Sequence, residues 1–200
     1  MLFRSLVRSR IGELPITIFR PSIIVGDSKT GATGNFRGFY APLSLYVKKL
    51  IFLIPADRET RIDLVPVDYV ADAIVYLIGH QAPRGACYHL TAGLDRTSTI
   101  GELVEEAERF FQIPVPRFIS QETYRKWVRP VLRLFLRGPR REAMDKGSFF
   151  LPYIDSKLRF DNTVTVRDLE GSGLVAPRPE EFFIRVLRFS KEKNFQKEAG

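Results

Sequence analysis

Residues 16–26 read ITIFRPSIIVG and residues 63–74 read DLVPVDYVADAI, and the rest of the chain is organised around this pair. The first is a β-branched, apolar run that empties into an Arg-Pro-Ser turn at Arg20–Ser22 and resumes as Ile23–Val25. That composition predicts a buried strand. The second predicts a strand over residues 61–67 feeding a helix. Asp68 is the expected N-cap, Val70, Ile74, Leu77 and Ile78 the expected inner face, and Gly79 the stop.

Working outward, Leu2, Phe3, Leu6 and Val7 recur at helical spacing, so an amphipathic helix is expected at the start of the chain. It has no capping residue and reads as the end of a longer element. On the other side, a polar glycine-rich loop over residues 26–38 precedes an apolar run over residues 39–54. ACYHLT at residues 86–91 is a short strand candidate. Thr99-Ile-Gly-Glu102 is a capping-box pattern, opening a helix with Ile100, Leu103, Val104, Ala107, Phe110 and Phe111 on one stripe. Further helices are expected near Tyr124–Arg137 and Glu180–Phe189, with Pro130 interrupting the former. Strands alternating with helices indicate an α/β fold: the C-terminal part of a Rossmann-type parallel sheet, with a small helix-rich substrate-side lobe. The expected division is residues 1–113 for the sheet domain and 114–200 for the lobe.

Composition narrows the function. The chain has 200 residues, 44% hydrophobic and 27% charged, which is that of a globular protein able to bury a core. A lone cysteine, Cys87, excludes an internal disulfide framework and suggests a reducing, cytoplasmic setting. Arg4, Arg8 and Arg10 break any apolar leader, and the run around residues 43–54 is too short to span a bilayer. His80 and His89 have no partner at metal-ligand spacing, so no metal is expected. No serine lies in a strand-to-helix elbow. The net charge of +8 is concentrated: residues 117–141 hold eight Lys or Arg and a single acid, Glu122.

LPITIFRPSIIVGDSKTG, RIDLVPVDYVADAIVYLI, YHLTAG, TIGELVEEAERFF and FDNT at residues 160–163 together resemble the extended short-chain dehydrogenase/reductase family, in the branch of fatty acyl-CoA reductases and thioester reductases. The resemblance implies a complete protein that uses NADP or NAD. It also implies a preceding half with a glycine-rich pyrophosphate loop and a Tyr-x-x-x-Lys pair that protonates the substrate carbonyl. By that resemblance Met1–Arg10 is the end of the helix carrying the pair, so no catalytic residue is expected in this chain. Pro21, Ser22 and Ile23 resemble the turn beside the nicotinamide. A proline there leaves no N–H to satisfy, which lets a flat ring approach, though a rigid strand exit needs the same residue.

Two strings imitate the missing parts. Thr30-Gly-Ala-Thr-Gly34 begins like a dinucleotide fingerprint, but its third glycine falls at Arg37 and no strand runs into it. It reads as a flexible loop near the substrate entrance. Tyr153 and Lys157 have the right spacing but follow Pro152 and lie in the wrong chain order.

Arg125, Arg129, Arg133, Arg137 and Arg141 recur every four residues and keep near one helical face. Such a stripe suits an anionic partner: acyl-CoA phosphates, an acidic acyl-carrier protein or a membrane surface, to which the protein would be peripheral. A solvated charged face is the plainer reading. Nucleic acid is not expected, because no stacking platform of aromatics accompanies the charge. Two other readings stand beside the reductase: a non-catalytic acyl- or partner-binding protein, and a remnant of a sugar-nucleotide epimerase or dehydratase. Without its first half, the sheet would expose an edge and an apolar face, so poor solubility or dependence on that half is expected.

Overall fold

The computed structural model describes residues 9–11, 13–80, 85–138 and 160–196, with isolated residues 7, 141 and 144. The opening helix over residues 2–7 and the Tyr153–Lys157 string therefore fall almost wholly outside the described residues.

Strand β1 (Ile18–Pro21) pairs in parallel with β6 (Cys87–Leu90), and β2 (Ile23–Val25) in parallel with β5 (Leu64–Pro66). One extended segment thus changes partner at Ser22. Strand β3 (Leu53–Pro55) pairs in parallel with β8 (Arg117–Ile119), and β4 (Arg61–Ile62) antiparallel with β7 (Ser98–Thr99). The single strand expected over residues 61–67 is two, because β4 pairs with β7 and β5 with β2, with Asp63 between them.

Strand β5 shows why the fold is layered. Its neighbours Leu64 and Val65 point to opposite faces, and each is fully buried in a different cluster. Leu64 packs with α1 (Tyr40–Val47), α3 (Ile100–Phe111) and α6 (Pro179–Glu192) through Tyr40, Leu43, Leu103, Phe183 and Leu187. Val65 packs with α2 (Val67–Gly79) and β6 through Val70, Ala73, Leu77, Tyr88 and Leu90. The described strands form four two-stranded ladders, three of them parallel, and helices lie on both faces of the β5 ladder, the α/β arrangement expected. Helix α6 shares its core with β2 and β5, so the last segment closes one face of the sheet.

Local signals behave as physics demands. Thr99 Oγ1 accepts the Glu102 N–H at 3.1 Å while the Glu102 carboxylate accepts the Thr99 N–H at 2.7 Å, completing the capping box of α3. On α2, however, Ile78 is 60% exposed, and Tyr69, Val70, Ala73 and Leu77 make the inner face. The helix leans toward Tyr69 because β5 and β6 offer their apolar surface there. Helix α5 (Thr163–Asp168) is tied to β6: Tyr88 Oη donates to Asp168 at 2.8 Å. Burial first, then the Asp168 carboxylate, pushes the Tyr88 phenol up to about 12.

The region expected to hold an interrupted helix is one rod, α4: a first turn Gln121–Thr123, a π-turn Tyr124–Val128 and an α-helical segment Arg129–Phe135. The wide turn lies directly before Pro130, which lacks an N–H and crowds the carbonyl one turn back. Widening the ladder there accommodates the ring without ending the helix.

Candidate functional site

The carboxyl ends of parallel β2 and β5, where α2 begins, border a cavity of about 390 Å³. In open α/β sheets this is the end at which ligands bind. Its floor is apolar, from Ile24, Val25 and Val67. Its wall is the loop from Ala32 to Gly38, and Tyr40 closes the back. Arg37 is the cation among its lining residues, and is exposed.

The loop is pinned, not loose as expected. Asp27 Oδ1 accepts from the Lys29 N–H at 3.0 Å, the Thr30 N–H at 2.8 Å and Thr30 Oγ1 at 2.8 Å. These bonds hold the Asp27 carboxyl below its ordinary range, Thr30 contributing most. Arg185 of α6 donates from Nε to the Ser28 carbonyl at 2.6 Å. Gly31 has φ +75, and a Cβ there would lie 2.1 Å from the Arg185 carbonyl oxygen. The glycine is required by close packing against α6. Its space is filled by protein backbone, so it offers no cradle to a pyrophosphate.

Asp68 has a different role from the one expected. Pro66 takes the N-cap position of α2, and the Asp68 carboxylate in the first turn accepts from the Ser28 N–H at 2.8 Å and Ser28 Oγ at 2.5 Å. It fastens the loop to the helix.

Pro21, Ser22 and Ile23 sit where β1 hands over to β2. Pro21 and Ile23 are exposed, whereas Ser22 is turned inward and donates from Oγ to Asp63 Oδ1 at 2.6 Å. The same oxygen accepts the Ala92 N–H at 2.9 Å. One carboxyl group therefore ties together the start of β2, the start of β5 and the chain just beyond β6. Burial raises the Asp63 carboxyl above its ordinary range, partly offset by the bonds from Ala92 and Ser22. Sequence reading missed Asp63; its partners stand 41 and 29 residues away.

Tyr40 is the phenol at the cavity. Its oxygen accepts the Gly26 N–H at 2.7 Å, and burial pushes its pKa up. A proton donor for carbonyl reduction is tuned the other way, so Tyr40 shapes the wall. Arg125, Arg129, Arg133 and Arg137 lie on or just beyond α4, outside this cavity; Arg129 is half-buried and the other three exposed. Among the described residues no cluster of three or more His, Cys, Asp or Glu is placed to hold a metal.

These features define a Rossmann-like α/β fold with a cavity at the carboxyl ends of its parallel strands. Residues 5–74 match the family described as Male sterility protein, an NAD-binding domain. The nonribosomal peptide synthetase cpsA of Aspergillus campestris is 32% identical over 118 residues, covering 58% of this chain and 11% of that protein. The terminal R domain of the myxalamid PKS-NRPS pathway superposes with a TM-score of 0.73 at 22% identity, over 98% of this chain and 49% of that one. A nucleoside-diphosphate-sugar epimerase from Pseudomonas aeruginosa superposes at 0.63 with 11% identity, covering 97% and 54%. Over residues 5–74 and the 118 residues shared with cpsA, the sequence supports assignment to the extended short-chain dehydrogenase/reductase family, of the thioester-reductase type. It spans about half the length of these solved structures and a small part of the synthetase.

The family's cofactor is NAD(P). The described residues fit one end of it: Pro21 and Ile23 present an exposed strand edge that a flat ring could approach. They do not fit its pyrophosphate, because the Gly31 loop is packed on α6.

Proposed function

We propose that this chain supplies the substrate end of an NAD(P)H-dependent acyl-thioester reductase. Reduction by two electrons and two protons converts a thioester to an aldehyde and a free thiol. The hydride comes from a reduced nicotinamide whose phosphates are held by residues outside this chain. Within the chain, Ile24, Val25 and Val67 give the acyl group an apolar floor. Arg37 at the rim suits a phosphate of a CoA or carrier-linked pantetheine arm. The observation that carries the reading is this cavity at the carboxyl ends of β2 and β5, in a chain whose sequence matches thioester-reductase relatives.

The chain by itself is inactive in this reading, since its described residues hold neither a pyrophosphate cradle nor a phenol tuned for proton transfer. Mixing it with a polypeptide carrying the preceding half should restore NADPH oxidation in the presence of an acyl thioester. Turnover by the 200-residue chain alone would overturn the proposal. An epimerase reading has the same fold behind it, but its relatives superpose without matching the sequence as cpsA does.

A further inference from the structure

Helix α4 presents Trp127, Val131, Leu134 and Phe135 to solvent; the first, third and fourth are 72%, 75% and 74% exposed. The described part of the protein does not cover them. Their spacing, i, i+4, i+7 and i+8 from Trp127, is that of a single helical face. The rod is about 20 Å long and leaves these groups as an exposed apolar ridge. Arg125, Arg133 and Arg137 flank it, all exposed. Residues 121–137 contain five Lys or Arg and one carboxylate, Glu122, which Lys126 engages at 2.7 Å. No helix among the described residues is long and apolar enough to cross a bilayer.

We propose that α4 is a membrane-surface element that lies in the interface of an anionic bilayer, its apolar ridge among the acyl chains and its arginines on the lipid phosphates. Bulky exposed apolar side chains on one helix, accompanied by cations, match the chemistry of a headgroup layer over hydrocarbon. Long arginine stems let the charge rise to the headgroups while the ridge descends. This surface is separate from the cavity, so it stands or falls independently of the reductase reading.

Trp127 is the chain's sole tryptophan, and its emission reports the insertion directly. Vesicles of phosphatidylcholine containing phosphatidylserine should shift its emission to the blue and carry the 200-residue chain on flotation. Vesicles of phosphatidylcholine alone should do neither. Arg125→Glu with Arg133→Glu should weaken partitioning about tenfold or more. Leu134→Ser with Phe135→Ser should abolish the shift while leaving the far-ultraviolet circular dichroism unchanged, as expected of exposed positions. The wild-type comparison of the two vesicle types needs no variant to fold. Equal binding to both, or to neither, overturns the proposal. A shift produced by an acidic acyl-carrier protein and not by vesicles reassigns the face to a protein. A shift that grows with protein concentration without lipid reassigns it to a second copy.

Discussion

Helices α2 and α4 each turn large apolar side chains to solvent, but in opposite electrostatic settings. On α2 the exposed groups are Val67, Val75 and Ile78, the last two 70% and 60% exposed. Their charged companions in the helix are Asp68 and Asp72, and α2 contains no Lys or Arg. Its other face is locked into the core through Tyr69, Val70, Ala73 and Leu77. On α4 the exposed ridge is bordered by cations, and Tyr124 is its buried side chain. Carboxylates beside an apolar face repel an anionic surface and suit burial under another protein layer, whereas arginines attract one. Similar hydrophobic exposure thus points to different partners. The outer α2 face, with Val75 and Ile78, therefore suits burial under a further protein layer.

Substitutions can break or sharpen that contrast. The inner face of α2 should be the most sensitive: Leu77→Ala should cost about 2–5 kcal/mol of unfolding free energy in urea titrations. A loss under about 1 kcal/mol would mean that α2 is not anchored as described. Gly31→Ala comes next, at about 2–3 kcal/mol, since a side chain there meets both an unfavourable φ and the α6 backbone. Thermal unfolding of this variant should show an early transition, and an unchanged midpoint would reject the packing account.

Asp63, at the entry to the strand preceding α2, should follow. Asp63→Ala should cost about 1–3 kcal/mol by stranding Ser22 and Ala92 donors, and Asp63→Asn less, because an amide oxygen can still accept. The pH dependence has a definite sign. The folded carboxyl is raised, so the native state holds its proton more tightly than the unfolded chain. Its stabilising contribution is complete below the ordinary value of 3.8 and is lost as pH rises through the folded value. The margin of wild type over Asp63→Asn should therefore shrink from acid toward neutral pH. A margin that widens would contradict the burial argument.

The outer faces should be the least sensitive in stability and the most telling in function. Val75→Asp with Ile78→Asp, and Trp127→Ser with Phe135→Ser, should each move unfolding by no more than about 0.5 kcal/mol per site. The first pair should block complementation by the preceding half yet spare vesicle binding. The second should do the reverse. If either pair disrupts both activities, the two faces are not distinct surfaces.

Much of the scaffold was legible in the residues themselves. The Thr99–Glu102 capping box and the strand expected at residues 86–91, found at Cys87–Leu90, depend on neighbours within about one turn, and both appear. The reading failed where a choice depended on what lies opposite. Ile78 belongs to the same apolar pattern as Leu77, but the sheet surface sits beneath Tyr69 and Ala73, leaving Ile78 outside. Asp68 had the composition of a cap, yet Ser28, forty residues earlier, claims its oxygens. The glycine-rich loop read as mobile because the α6 arginine that pins it is 157 residues distant.

Taken alone, the order of residues determined the alternation of strands and helices, where several begin, and the kinship with reductases, because these rest on short-range patterns of side-chain size, branching and charge. The meeting of three strand ends at one carboxyl, the occupation of the Gly31 space by a helix backbone, and the choice of which apolar stripes stay wet were decided by the tertiary structure. Burial is a property of two surfaces in contact, and a linear pattern specifies one of them at a time.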